Sequence, residues 1–167
     1  MTSKPCVVVM GVSGCGKSTV GRLLAQALGL PFVEGDELHP PANVAKMAAG
    51  TPLSDEDRAA WLNTLAEVLA GAERRGHGVV VSCSALRRRY RDQLRAGAPG
   101  LRFVYLQGDA ALLASRLAQR SGHYMPASLL PSQLATLEAP APDEAAVTLD
   151  IGPPPPQLVA QAMEALA

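Results

Sequence analysis

The chain has no apolar run longer than a strand requires, so no membrane-spanning helix is expected. It also lacks net charge. Fifteen Lys and Arg balance fifteen Asp and Glu, which argues against a nucleic acid or an anionic membrane as partner. Lysine is scarce, three residues against twelve arginines. That bias fits genome composition, in keeping with abundant Ala and Pro, or a use for bidentate contacts to phosphate and carboxylate. Cysteine is scarce as well. Cys6, Cys15 and Cys83 are odd in number and lack the spacing of a metal or redox site. Cys6 and Cys83 fall in strand-like runs as apolar filler, and a reducing cytoplasm is the expected compartment. Residues 1–5 show no signal-peptide pattern, and no internal repeat appears.

What is present suffices for one domain with a real core, spanning residues 1–167. Short apolar runs at 6–10, 31–33, 78–83, 102–106 and 146–151 alternate with helical patterns. The expected fold class is α/β: a five-stranded parallel sheet in three layers, with helices on both faces. The first helix should run over 17–28 and stop at Gly29. Ser54 opens S-D-E-D, a capping-box start for a helix running towards Glu73. Further helices are expected from Ser84 or Ala85 to Arg95, from Asp109 to Arg120, over 127–137 and over 157–166. Such a sheet leaves its ligand cleft at the carboxyl ends of the strands.

GVSGCGKST, Gly11 to Thr19, follows the first apolar run and matches the P-loop pattern in full. Gly11, Gly14 and Gly16 let the backbone fold tightly, so that amides from Val12, Ser13 and Cys15 onward converge on phosphate oxygens. Those amides open a helix, whose positive end favours an anion such as the phosphates of ATP. Lys17 should reach the β- and γ-phosphates, and the Ser18 hydroxyl should ligate Mg²⁺. Cys15 is read two ways: as a thiol activated by the helix end, or as a small residue that merely fits.

The third strand, GVVVSC, carries no acidic residue at its end, although a switch or motor NTPase usually holds Mg²⁺ with an Asp there. Acidic help must come from elsewhere, and EGDELH, Glu34 to His39, is nearest. Asp36 could bind the metal or accept the proton of an attacking hydroxyl; otherwise it is a turn or capping residue. His39, ahead of Pro40 and Pro41, could orient a polar ligand or cap the turn.

Together with GVSGCGKST, three segments carry a specific resemblance: GDELHPPANVAKMAAGTPLSDEDRAAWL, SCSALRRRYRDQLR and GHYMPASLLPSQLATLE. The chain resembles the gluconate kinase family of small P-loop kinases from Val7 to about Asp150. The resemblance implies an adenylate- or shikimate-kinase-like fold with a mobile lid. It further implies transfer of the ATP γ-phosphate to the 6-hydroxyl of D-gluconate, and a possible homodimer. An acyclic sugar acid needs hydrogen-bonding groups plus at least one cation, ideally a guanidinium fork. An acceptor insertion at about 37–75, with the strand end before it, supplies Asp36, His39, Lys46 and Arg58. The segment after the third strand supplies Ser84, Arg87, Tyr90 and Arg91. Arg58 and Arg91 are the expected principal acceptor contacts. Arg87, Arg88 and Arg89 are consecutive on a helix and cannot all face one pocket.

Arg116 and Arg120 stand four residues apart on one helix face. In kinases of this kind a lid, here about 116–138, closes over ATP, excludes water and brings arginines to the transferring phosphate. His123 and Gln133 are candidate acceptor contacts after closure. The rival readings are a kinase for another hydroxy acid such as shikimate, a nucleotide kinase, or a nucleotide-binding module without transfer activity.

Overall fold

Single-residue alternation sets the architecture. In β1 (Cys6–Met10) every residue is buried; Val7 and Val9 join one apolar cluster, while Cys6, Val8 and Met10 join another. A strand buried on both faces belongs inside a parallel sheet covered by helices. The computed structural model, which describes residues 3–119 and 127–167, has that arrangement. Five parallel strands run in the order β2-β3-β1-β4-β5, where β2 is Phe32–Glu34, β3 Val79–Ser82, β4 Arg102–Gln107 and β5 Val147–Asp150.

One face is covered by α1 (Lys17–Leu28), α5 (Ala110–Ala118) and α7 (Pro155–Leu166), through Leu24, Leu113 and Leu158. The other is covered by α3 (Asp55–Arg75) and α4 (Arg88–Ala96), through Leu65, Leu69 and Leu94. Each fully buried leucine contributes about 1.5–3 kcal/mol relative to exposure. Cys6, Cys15 and Cys83 are all free and buried, and burial pushes the Cys83 thiol up to about 12. No helix among the described residues is long and apolar enough to cross a membrane.

Local signals fix several boundaries as expected. Gly29 ends α1 in the left-handed region, Ser54 and Asp57 form a reciprocal capping box on α3, and Asp109 caps α5 through the Leu112 amide. Three elements differ. Pro40-Pro41 begins a helix, α2 (Pro41–Ala48), because proline at a first helical position is already set for it. Helix α4 starts at Arg88 rather than at residue 84 or 85, because Ala85 is held at φ 46°, which breaks the helical path. The expected helix over 127–137 divides into a 3₁₀ turn, Ala127–Leu129, and α6 (Leu130–Thr136).

Candidate active site

The P-loop closes between β1 and α1. Gly11, Gly14 and Gly16 have φ of 147°, 87° and 92°, all positive. A Cβ at Gly11 would stand 2.7 Å from Cys15 Sγ and 2.9 Å from the Leu106 carbonyl oxygen, so only glycine fits. No side chain among the described residues caps the start of α1, and its first turn holds no acidic residue. Its amides are therefore left for an anion. Val12 and Cys15 turn their side chains into the core and Thr19 is exposed, so Val12 and Cys15 offer a phosphate only their backbone. Lys17 donates to the Val12 carbonyl at 3.2 Å.

The acid missing from the end of β3 is supplied by the neighbouring strand. Glu34, last in β2, accepts from Ser18 Oγ at 2.5 Å through one carboxylate oxygen and from Ser82 Oγ at 2.5 Å through the other. The carboxylate in contact with the Mg²⁺-ligand candidate Ser18 is thus Glu34, with Asp36 further along the same turn. A hydroxyl and a carboxylate beside a phosphate cradle are hard oxygen donors of the kind Mg²⁺ takes. No cluster of three His, Cys, Asp or Glu side chains exists among the described residues.

A cleft opens beside the cradle. Ser13 and Lys17 line its phosphate end; Asp36, His39, Arg58 and Ser84 line the rest. Asp36 is placed by Gly35, whose amide donates to Ser82 Oγ and where a Cβ would fall 1.9 Å from the Ser82 carbonyl oxygen. The Trp61 indole donates to the Gly35 carbonyl at 2.8 Å and stacks on His39, ring centroids 4.0 Å apart. Burial lowers the His39 pKa to about 4, outweighing the upward pull of Asp36, so the ring is neutral near pH 7. Arg58 donates to the Tyr90 hydroxyl at 3.2 Å and lies over that ring, and Tyr90 in turn donates to Asp55. From the far side, α6 contributes Gln133, whose Oε1 accepts from the Ser13 amide at 2.7 Å.

Three expected acceptor contacts, Arg91, Lys46 and Arg87, are not brought to this cleft, and the lid arginine Arg116 is engaged elsewhere. Arg91 is completely buried and forks onto Glu144, at 2.7 Å and 3.0 Å, while its third nitrogen donates to the Ala85 carbonyl at 2.8 Å. Lys46 is held by Asp57 at 2.6 Å, and this hydrogen bond leads in lowering the Asp57 pKa to about 2. Arg87 precedes α4 in extended backbone, with its Nε buried. Arg116 donates to the Ile151 carbonyl at 2.7 Å, which ties α5 to the turn after β5. Arg120 and His123 lie outside the described residues.

Other contributors carry weak signals. Glu34 is the first residue of EGDELH and is marked only by its place at a strand end. Trp61, the chain's one tryptophan, lies three residues after Arg58 and so shares its helix face. Asn43, four residues after His39, is buried under the cleft. Met47, Leu53 and Leu129 form a small apolar cluster that joins the acceptor insertion to the turn before α6.

Known proteins resemble this chain over most of its length. A family model described as an AAA domain matches residues 6–140. The gluconokinase of Gluconobacter oxydans (strain 621H) is 56% identical over 138 residues, which span 83% of this chain and 78% of that protein. The thermoresistant gluconokinase of Escherichia coli (strain K12) is 43% identical over 160 residues, 95% of this chain and 91% of that protein. A crystal structure of a gluconokinase from Sinorhizobium meliloti 1021 superposes with a TM-score of 0.89 at 50% identity, covering 99% of this chain and 93% of that one.

Proposed function

We propose that the chain, which belongs to the gluconokinase family of P-loop kinases, transfers the ATP γ-phosphate to the 6-hydroxyl of D-gluconate. One observation carries the reading beyond family membership. A phosphate cradle with Lys17, a carboxylate at Asp36 and a guanidinium at Arg58 all line one cleft. A motor or switch needs only the first; a kinase for a sugar acid needs all three.

In this mechanism the P-loop amides and Lys17 hold the β- and γ-phosphates, and Arg58 takes the gluconate carboxylate with its fork. Ser84 and Gln133 offer hydrogen bonds to the hydroxyls, while His39 stands beside Asp36. Asp36 accepts the proton of the 6-hydroxyl as that oxygen bonds to the γ-phosphorus and the bond to the β-phosphate oxygen breaks, giving ADP and 6-phosphogluconate. Ser18 and Glu34 would hold Mg²⁺, which when bound offsets phosphate charge. Residues 116–138 act as the lid; the Gln133 contact with the Ser13 amide supports this, since it joins that segment to the phosphate end. Arg116 and Arg120 belong to the same lid, and Arg116 reaches the transferring phosphate by leaving the Ile151 carbonyl. A reducing cytoplasm suits three free, buried thiols, and a homodimer completes the reading.

A coupled ADP-release assay across sugar acids, shikimate and nucleoside monophosphates tests the assignment. Gluconate should be the fastest acceptor; faster turnover of shikimate or a nucleotide would sink it. Asp36→Asn should retain ATP binding and lower kcat by about 10²–10⁴.

A further inference from the structure

We propose that Asn43 is a positioning residue: it fixes the His39 ring proton on Nε2, so that a neutral N–H donor faces the Asp36 carboxylate. The role rests on the reading of Asp36 as proton acceptor, but the tautomer itself follows from geometry. Asn43 Nδ2 lies 2.8 Å from the Asp57 carbonyl oxygen, a group that can only accept. The buried amide therefore has its NH₂ on that side and cannot be flipped. The same NH₂ lies 3.3 Å from His39 Nδ1. Its second hydrogen requires a lone pair there, so in a neutral ring the proton sits on Nε2. The opposite tautomer would set N–H against N–H at Asn43 and a lone pair against a carboxylate at Asp36.

His39 Nε2 stands 4.0 Å from Asp36 Oδ1, just beyond hydrogen-bond range. The ring cannot turn to escape, because it is stacked on Trp61, and Trp61 is pinned to the Gly35 carbonyl next to Asp36. Asn43 is anchored at the first turn of α3, the helix that also carries Arg58 and Trp61. When the acceptor hydroxyl draws the carboxylate inward, Nε2–H donates to Oδ1 and leaves Oδ2 to take the proton. One carboxylate oxygen is thereby oriented and the other kept basic.

Long-range ¹H–¹⁵N spectra of the full chain read the tautomer without substrate. The signal lost in His39→Phe assigns it among three histidines. The wild type should be protonated at Nε2. In Asn43→Asp the new carboxylate should draw the proton to Nδ1 and lower kcat for gluconate about tenfold or more, part of the 10²–10⁴ that general-base catalysis supplies, with KM little changed. His39→Gln, which can still present an N–H, should outperform His39→Phe, which keeps the stack but loses the donor; this pair tests the donor without altering Asn43. A wild-type ring protonated at Nδ1, a tautomer switch with undiminished kcat, or equal Gln and Phe variants would each overturn the role while gluconate turnover stands. A wild-type chain that leaves gluconate unphosphorylated would overturn the functional reading, and this role with it.

Discussion

Arg58 and Arg91 are equivalent on paper: both are guanidinium groups on helices flanking the cleft, and both suit a sugar-acid carboxylate. The fold separates them. Arg58 is half-buried, leans on the Tyr90 ring and lines the cleft. Arg91 has no exposed surface and spends its fork on Glu144, which also takes Arg95 at 2.7 Å and the Ala141 amide at 2.8 Å. The difference teaches that an arginine binds ligand only where its fork is not already matched by the protein's own carboxylate. Arg91 still serves the site at one remove. Its bond to the Ala85 carbonyl braces a left-handed turn whose neighbours, Ser84 and Leu86, face the cleft.

The largest expected effect that tests this contrast is on stability. Arg91→Ala leaves Glu144 buried with half its partners gone, which should cost about 3–5 kcal/mol. For a chain of this size the melting temperature should fall on the order of 10 °C, by calorimetry or circular dichroism. A variant that melts like the wild type but binds gluconate poorly would break the contrast and return Arg91 to the cleft.

The reason Arg91 misled is physical. Its partner lies 53 residues away, in a stretch with no regular pattern, and nothing local announces a long-range ion pair. The same holds for Lys46, whose position beside Asp57 joins two helices. The P-loop, Gly29 and the Ser54 capping box were legible because each is a short-range backbone requirement written in consecutive residues. Asp36 and His39 were singled out by the acid missing after β3, and Arg58 by the chemistry of a hydroxy acid. Glu34 was passed over because its two serine partners come from α1 and β3. The start of α4 was misplaced because Ala85 occupies a conformation for which alanine gives no warning.

On the cleft side of the contrast the effect is smaller and of another kind. Arg58→Ala should raise the gluconate KM about ten- to a hundredfold, as removal of a charged hydrogen-bonding group costs about 1.5–3 kcal/mol. The KM for ATP and the melting temperature should change little. Arg58→Lys should recover part of the loss only, since an ammonium keeps the charge without the fork. A large loss of stability in Arg58→Ala with unchanged KM would reverse the two roles.

The smallest effect distinguishes the two arginines without any substrate. The Arg91 hydrogen bonds, ahead of those from Ala141 and Arg95, hold the Glu144 pKa at about 2 against an ordinary 4.5. A carboxylate depressed in the folded state contributes stability above its unfolded value and loses it as pH falls toward the folded one. The window therefore runs from about pH 4.5 down to about pH 2, and at pH 4 this one group should already have cost roughly 1 kcal/mol relative to pH 7. Urea unfolding at pH 7, 5 and 4 measures it. Arg91→Ala removes the leading cause of the shift, so its stability should fall less steeply with acid than that of the wild type. Arg58→Ala touches neither Glu144 nor its partners and should keep the wild-type slope. Parallel slopes in all three proteins would mean that Arg91 and Glu144 are not coupled in solution, and the division of labour between the two arginines would lose its physical basis.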